Sequence, residues 1–446
     1  MKRSIYNFYI DGDDGGKIIY NSYSGKQIQF SEKFKKEYDF LLNDDCAHIS
    51  EELINVMLKN GFLTDKDEVS EINRSYDKII YDPEFLEITV LPTDACNFKC
   101  VYCYQSGPYH NMNSDTANGL LSFVEANCSK YKRVLLGWFG GEPLLQKDLV
   151  VRLTGEIKKI CQKHKVAFVS RMSTNGYELD IDTAQKLTKN SLLFYQITID
   201  GTKEIHNFQR PHAIYSDSYE KIIYNLRNIK KSIKTSQLSI ACRINVSEKN
   251  YSVLETFLDE FKDYFGDDNR FKVLVEPVHD WGGNIAQNKN LVIDGMSRSI
   301  VKRFYKLVAS KGINVLMPTD FGAGTLLCEA SRKNAFVINY NGDILKCTSA
   351  IYEKEYMQQI NIIGHIDEAG DYWINSKTED IWLKRNVEKY SCGKCVGFPL
   401  CGGSGCVLAT NIAGAEYCQN KERIESYIYG LVLYNNIKEN FIKIGE

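Results

Sequence analysis

The chain has 446 residues, 43% of them hydrophobic and 25% charged, with a net charge of −2. Its length allows two to four domains, and the near-neutral balance gives no reason to expect a nucleic-acid partner. The longest apolar run, Tyr427–Tyr434, is far short of the roughly 18 residues a membrane span needs. Asp11, Asp13 and Asp14 interrupt the stretch after the basic start, so neither a signal peptide nor a membrane is expected and the default setting is the cytoplasm.

Residues 1–84 open with three strand-like runs, Ile5–Ile10, Lys17–Tyr20 and Lys26–Phe30, punctuated by Gly15-Gly16 and Ser24-Gly25. Helical stretches come next at Glu32–Leu42 and Ser50–Lys59, the second with Leu53, Ile54 and Met57 on one face and Gly61 past its end. The order suggests a small winged-helix-like domain. Residues 85–312 alternate apolar runs with amphipathic segments. The runs are Phe85–Leu91, Val134–Phe139, Ala167–Met172, Leu192–Ile199, Leu238–Val246 and Phe271–Val278; Ser114–Ser129, Ser218–Ile233 and Asn250–Phe265 lie between. Six β/α units in succession predict an α/β fold, a partial (β/α)6 TIM-like barrel with its site at the C-terminal ends of the strands. Residues 313–446 form a cysteine-rich C-terminal domain, with a hairpin turning at Asn341-Gly342 and a final helix near Lys421–Asn436.

Fourteen cysteines without a signal peptide point to metal rather than disulfides. Cys46, Cys128, Cys161 and Cys242 are scattered and read as small buried hydrophobes. Cys96, Cys100 and Cys103 come after the first barrel strand with the spacing C-x3-C-x2-C. Three thiolates can hold three irons of a 4Fe–4S cluster and leave the fourth open to a ligand; the alternative, a zinc site, usually shows four ligands in paired spacings.

The motif, with Tyr102 between its second and third cysteines, resembles that of the radical S-adenosylmethionine (SAM) superfamily. The resemblance implies that the open iron binds the amino and carboxylate groups of SAM, and that an electron cleaves it to a 5′-deoxyadenosyl radical. Gly140-Gly141-Glu142-Pro143, after the second strand, is similar to the family's GGEP motif facing the SAM amino group. Ser173-Thr174-Asn175-Gly176 resembles the third-strand turn near SAM, which nominates Ser173 and Asn175. Asp200-Gly201, His206 and Arg210 resemble the fourth-strand segment, with Asn207 where the family often has Asp. Arg243-Ile244-Asn245-Val246 resembles the fifth-strand motif, and Arg243 is expected on the SAM carboxylate or a ribose hydroxyl.

The later cysteines resemble the SPASM extension of that family, which implies two auxiliary 4Fe–4S clusters and three in all. Carried over, Cys392, Cys395, Cys401 and Cys418 would ligate the outer cluster, and Cys328, Cys347 and Cys406 the inner one, with no fourth ligand evident. Four residues precede Cys406 where the family commonly has three. The likeness of residues 1–84 to leader-recognition domains suggests a maturase that installs a crosslink, such as a thioether or carbon–carbon bond, on a ribosomally made precursor peptide. An electron donor such as flavodoxin or ferredoxin would be its second partner. The alternatives are a maturase of the anaerobic sulfatase type, oxidising a Cys or Ser, and a metal-stabilised peptide-binding scaffold. Glu276 and Asp280, at or just past the sixth strand, are the only nominated catalytic bases.

Overall fold

The computed structural model describes residues 2–11, 16–31, 34–43, 49–105, 109–278, 297–316, 326–352, 355–412, 416, 418 and 420–444. Asp280 and Cys46 lie outside them.

The N-terminal part holds β1 (Lys2–Arg3), β2 (Asn7–Asp11), β3 (Lys17–Asn21), β4 (Lys26–Phe30) and β5 (Leu63–Thr64). β2, β3 and β4 form an antiparallel meander, and β1 pairs with β5. The period-2 rule explains its two faces. Ile19, Ile28 and Phe30 turn towards helices Lys35–Leu42 and Glu51–Lys59, while Ile10, Ile18 and Tyr20 turn the other way, onto Ile424, Ile428, Leu431 and Val432. Those four sit on helix Asn420–Ile437, near the other end of the chain. Ser50 caps the second helix as its sequence suggests, accepting from the Leu53 amide at 3.3 Å. A further helix, Glu68–Ile80, leads into the barrel.

β6 (Phe85–Val90), β7 (Arg133–Trp138), β8 (Ala167–Thr174), β9 (Leu192–Thr198), β10 (Ser239–Val246) and β11 (Phe271–Pro277) lie side by side in chain order, all parallel. Helices Ser114–Asn127, Lys147–Lys163, Ile181–Lys189, Tyr219–Ser232 and Leu254–Phe265 connect them and bury their apolar faces in one core. This is the expected partial (β/α)6 barrel. Its sheet does not stop at β6. β12 (Ala335–Ile338) continues it in parallel, followed by antiparallel β13 (Asp343–Leu345), β14 (Ile362–Ile366) and β15 (Tyr372–Ile374), giving ten strands.

The hairpin at Asn341-Gly342 is β12–β13, as expected, with Gly342 at φ +90°. It is therefore an extension of the barrel sheet, and it ties the cysteine-rich segment to the first barrel strand. The last strand, β16 (Ile442–Ile444), pairs in parallel with β4 and makes the N-terminal sheet four-stranded.

Candidate active site

At the C-terminal ends of the barrel strands, one cavity of about 330 Å³ gathers most of the residues singled out by sequence. Cys96, Cys100, Tyr102 and Cys103 line it from the β6 loop, Gly140 and Gly141 from β7, Ser173 and Asn175 from β8, and Arg243 from β10.

The close approach of two loops shapes its wall. The Gly141 amide donates to Thr93 O at 3.1 Å and the Glu142 amide to Ala95 O at 2.8 Å, strapping the β7 turn onto the cysteine loop. A Cβ on Gly141 would sit 2.1 Å from Ala95 O, so only glycine fits. Glu142 is buried and points into the turn. One of its oxygens accepts from the Leu144 amide at 3.0 Å and Thr174 Oγ1 at 2.6 Å, the other from the Asn175 amide at 2.7 Å. Pro143 is buried beside it and starts the short helical turn Pro143–Gln146. In this conformation the carboxylate joins the β7 and β8 turns, while its two glycines face the cavity.

Tyr102 is a hub. Its hydroxyl accepts from Arg210 Nη1 at 2.6 Å and from Asn245 Nδ2 at 3.0 Å, and it donates to Asp200. Asp200 in turn accepts from the Asn245 amide at 2.8 Å, and Asn250 donates to the Asp200 carbonyl at 2.7 Å. Arg243 Nε donates to Asn245 Oδ1 at 2.8 Å. The strand-four and strand-five segments thus converge behind the cysteine loop. Burial raises the Asp200 carboxyl, an effect Arg210 opposes. His206, also buried and beside Arg210, is held well below its usual pKa and stays neutral.

Burial pushes the Cys96 thiol up to about 11 and that of Cys100 up to about 12, with Arg210 pulling Cys100 back down. Among the described residues, no three His, Cys, Asp or Glu side chains meet closely enough to grip a single ion. Three soft thiols spread around a cavity, with room left over, suit a multi-iron cluster and its ligand.

Sequence reading passed over Gln105, Gln196, Thr198 and Ser349, which also line this cavity. Gln196 and Thr198 had a signal: two polar residues spaced two apart in a buried parallel strand, where an apolar run is the norm. Ser349 had none. It belongs to the cysteine-rich segment and arrives through the β6–β12 pairing, two residues after Cys347. Of the nominated bases, Glu276 turns away from the cavity. Its carboxylate is 2.8 Å from Arg423 and accepts from Tyr427 at 2.7 Å, both on helix Asn420–Ile437.

The other cysteines fall into two groups. Cys392, Cys395, Cys401 and Cys418 all line a separate cavity of about 200 Å³. Cys328 is pushed up to about 12, first by burial and then by the nearby thiols of Cys347 and Cys406. Cys128 and Cys161 lie 3.7 Å apart, Sγ to Sγ, buried inside the main core, and Cys242 is buried there too.

Residues 90–250 match the profile of the Radical SAM superfamily. Those residues form a radical SAM domain. A cysteine-type anaerobic sulfatase-maturating enzyme from Clostridium perfringens is 24% identical over 399 residues, covering 79% of this chain and 99% of that one. The radical SAM fold also aligns with anSMEcpe bearing AdoMet and the Kp18Cys peptide (TM-score 0.58, 19% identity), over 80% of this chain and all of that one. SuiB from Streptococcus suis, bound to its precursor peptide SuiA, aligns over 94% of this chain and all of its own (TM-score 0.51, 13% identity). Among the described residues, no helix is long and apolar enough to cross a membrane.

Proposed function

We propose that this radical SAM enzyme is a peptide maturase that modifies a ribosomally made precursor, installing a crosslink of the thioether or carbon–carbon class. The observation that carries the reading is the shared cavity. The first three cysteines, the strand-end residues and Ser349 of the cysteine-rich segment open onto one space, so a substrate there would sit between the radical source and an auxiliary site. The N-terminal unit adds support, because the alignment with SuiB takes in 94% of the chain and that with anSMEcpe 80%.

In this reading, Cys96, Cys100 and Cys103 hold the 4Fe–4S cluster. Loaded with SAM and given one electron by a flavodoxin or ferredoxin, it would supply a carbon-centred radical that takes a hydrogen atom from the peptide. Gly140 and Gly141 leave room for SAM against the cysteine loop, Ser173 and Asn175 border it, and Arg243 offers a cation for its carboxylate. Tyr102, fixed by Arg210 and Asn245, keeps the loop in place behind them. Cys392, Cys395, Cys401 and Cys418 would hold an outer auxiliary cluster, and Cys328, Cys347 and Cys406 an inner one suited to accept the second electron of a two-electron oxidation. Residues 1–84, 85–312 and 313–446 then act as leader-recognition, radical-generating and auxiliary parts.

The 24% identity to the sulfatase-maturating enzyme favours a second reading, oxidation of a Cys or Ser on a protein. Co-expression with a candidate precursor peptide, sought among short reading frames neighbouring the gene, followed by tandem mass spectrometry, separates the two. A crosslink removes two hydrogens, keeps every heavy atom and suppresses backbone fragments between the joined residues; converting a Cys to an aldehyde loses its sulfur, and converting a Ser to one also removes two hydrogens but leaves a linear peptide that a carbonyl reagent labels. An unmodified peptide alongside active SAM cleavage would set the precursor-peptide reading aside.

A further inference from the structure

The N-terminal sheet carries a strand it did not need for its own topology. β2, β3 and β4 pair as an antiparallel meander and pack on the helices that come after them. The outer edge of β4 is then covered by β16, with Ile442 opposite Ile28, Lys443 opposite Gln29 and Ile444 opposite Phe30. Ile28 and Phe30 are buried in the core shared with helices Lys35–Leu42 and Glu51–Lys59, and Ile442 packs against that same core, half-buried.

Three features make β16 a loosely held guest. It is three residues long and parallel, the weaker pairing per residue. It hangs from helix Asn420–Ile437 by a four-residue link, residues 438–441. That link turns through Glu439 at φ +54°, a left-handed conformation that non-glycine residues adopt under strain. The opposite edge of the sheet, β2, ends in exposed Asp11, a charge that discourages strand addition.

We propose that the β4 edge is a peptide-binding groove and that β16 is its resident occupant. The incoming ligand is an extended peptide segment with two β-branched or large apolar residues spaced two apart, as in the Ile-Lys-Ile of β16. Main-chain hydrogen bonds to β4 supply the affinity, and the apolar site beside Ile28 supplies the selectivity. Resting on the peptide-maturase reading, the natural ligand is a leader segment of the precursor. A short tether keeps β16 at an effective concentration of about millimolar, so only a peptide that binds the bare edge much more tightly than that displaces it. The strand thus sets a threshold for substrate capture.

The chain itself provides the probe, a fluorescently labelled synthetic peptide spanning residues 440–446. Its binding is measured by anisotropy to the full chain, to a chain ending at Glu439, and to the full chain with Ile442→Asp. The expected result is at least tenfold tighter binding to both altered chains than to the unaltered one, with no binding of a control peptide in which both isoleucines are aspartate. Deoxyadenosine production, measured alongside, is expected to be unchanged, which keeps this test separate from the radical SAM chemistry and shows that the variants fold. Should truncation unfold the chain, the Ile442→Asp variant gives the same reading. Equal affinity for all three chains, or no binding to a variant with intact SAM cleavage, overturns the proposal.

Discussion

The site's cysteines stand on a framework of buried polar side chains, and Tyr102 is its centre. Losing its hydroxyl leaves Arg210, Asn245 and Asp200 each short of a partner, at a cost of about 1–3 kcal/mol. Tyr102→Phe is expected to keep its iron, melt several degrees lower, and produce deoxyadenosine at least tenfold more slowly. Anaerobic calorimetry and chromatography of the SAM products check both parts. Replacing Cys96, Cys100 and Cys103 with alanine is expected to abolish deoxyadenosine while much of the iron remains; continued SAM cleavage in that variant would refute the assignment of the radical source. Glu276 makes a contrasting case. Its place at the end of the sixth strand made it a plausible base in the sequence, but its partners Arg423 and Tyr427 lie far downstream, where no local pattern reveals them. Glu276→Gln is expected to retain SAM cleavage and peptide modification and to lose about 1–3 kcal/mol of stability, towards the lower end because the Arg423 side chain stays 37% exposed. Loss of modification with unchanged melting would restore Glu276 as the base.

Individual elements were legible wherever one periodicity ran long enough. All six barrel strands lie within a residue or two of their apolar runs. Helix Glu32–Leu42 is described from Lys35, and helix Ser50–Lys59 begins one residue after its capping serine. What the sequence hid was pairing. The β12–β13 hairpin carries a clear turn signal, yet nothing in its residues says that β12 lies against β6. Helix Glu68–Ile80 shows the same gap. Its buried Ile72, Tyr76 and Ile80 fall four apart, a readable stripe, but the surface they meet is the cysteine-rich segment. There Gly402, at φ +62°, closes the short helix Phe398–Cys401 against the ring of Tyr76, and a Cβ would come within 2.1 Å of it. Tyr76 is itself fixed by a 2.9 Å hydrogen bond to Pro399 O. Gly402→Ala therefore combines backbone strain with a clash against an immobile ring. The expected outcome is faster loss of iron to a chelator from the Cys392–Cys418 group, with deoxyadenosine production little changed; iron analysis over time measures the first and product chromatography the second.

Across the whole molecule, the two ends of the chain interlock. One face of the N-terminal sheet packs on Ile424, Ile428, Leu431 and Val432, and β16 extends its edge. Removing residues 1–84 is therefore expected to bare that apolar stripe on helix Asn420–Ile437, lowering solubility and iron retention together. Size-exclusion chromatography with iron analysis tests this, and a soluble, fully loaded truncated enzyme would show that the interlock is dispensable. Point changes on the sheet edges are the cleaner probes of peptide capture.

The pairing of Ile28 with Ile442 also sets a timetable for biosynthesis. At about 5–20 residues per second, the ribosome takes roughly 20 to 80 s to travel between them. Throughout that interval the nascent sheet shows one bare apolar face and one open edge, a surface on which a chaperone can dwell or a neighbouring polysome can aggregate. All fourteen cysteines precede helix Asn420–Ile437 in the chain and leave the tunnel before it does, so loading of the sites can begin on a chain still being translated. Slow translation of the last hundred codons, or messages broken within them, would leave such chains exposed longest, and proteolysis of stalled products is where the cell would register it.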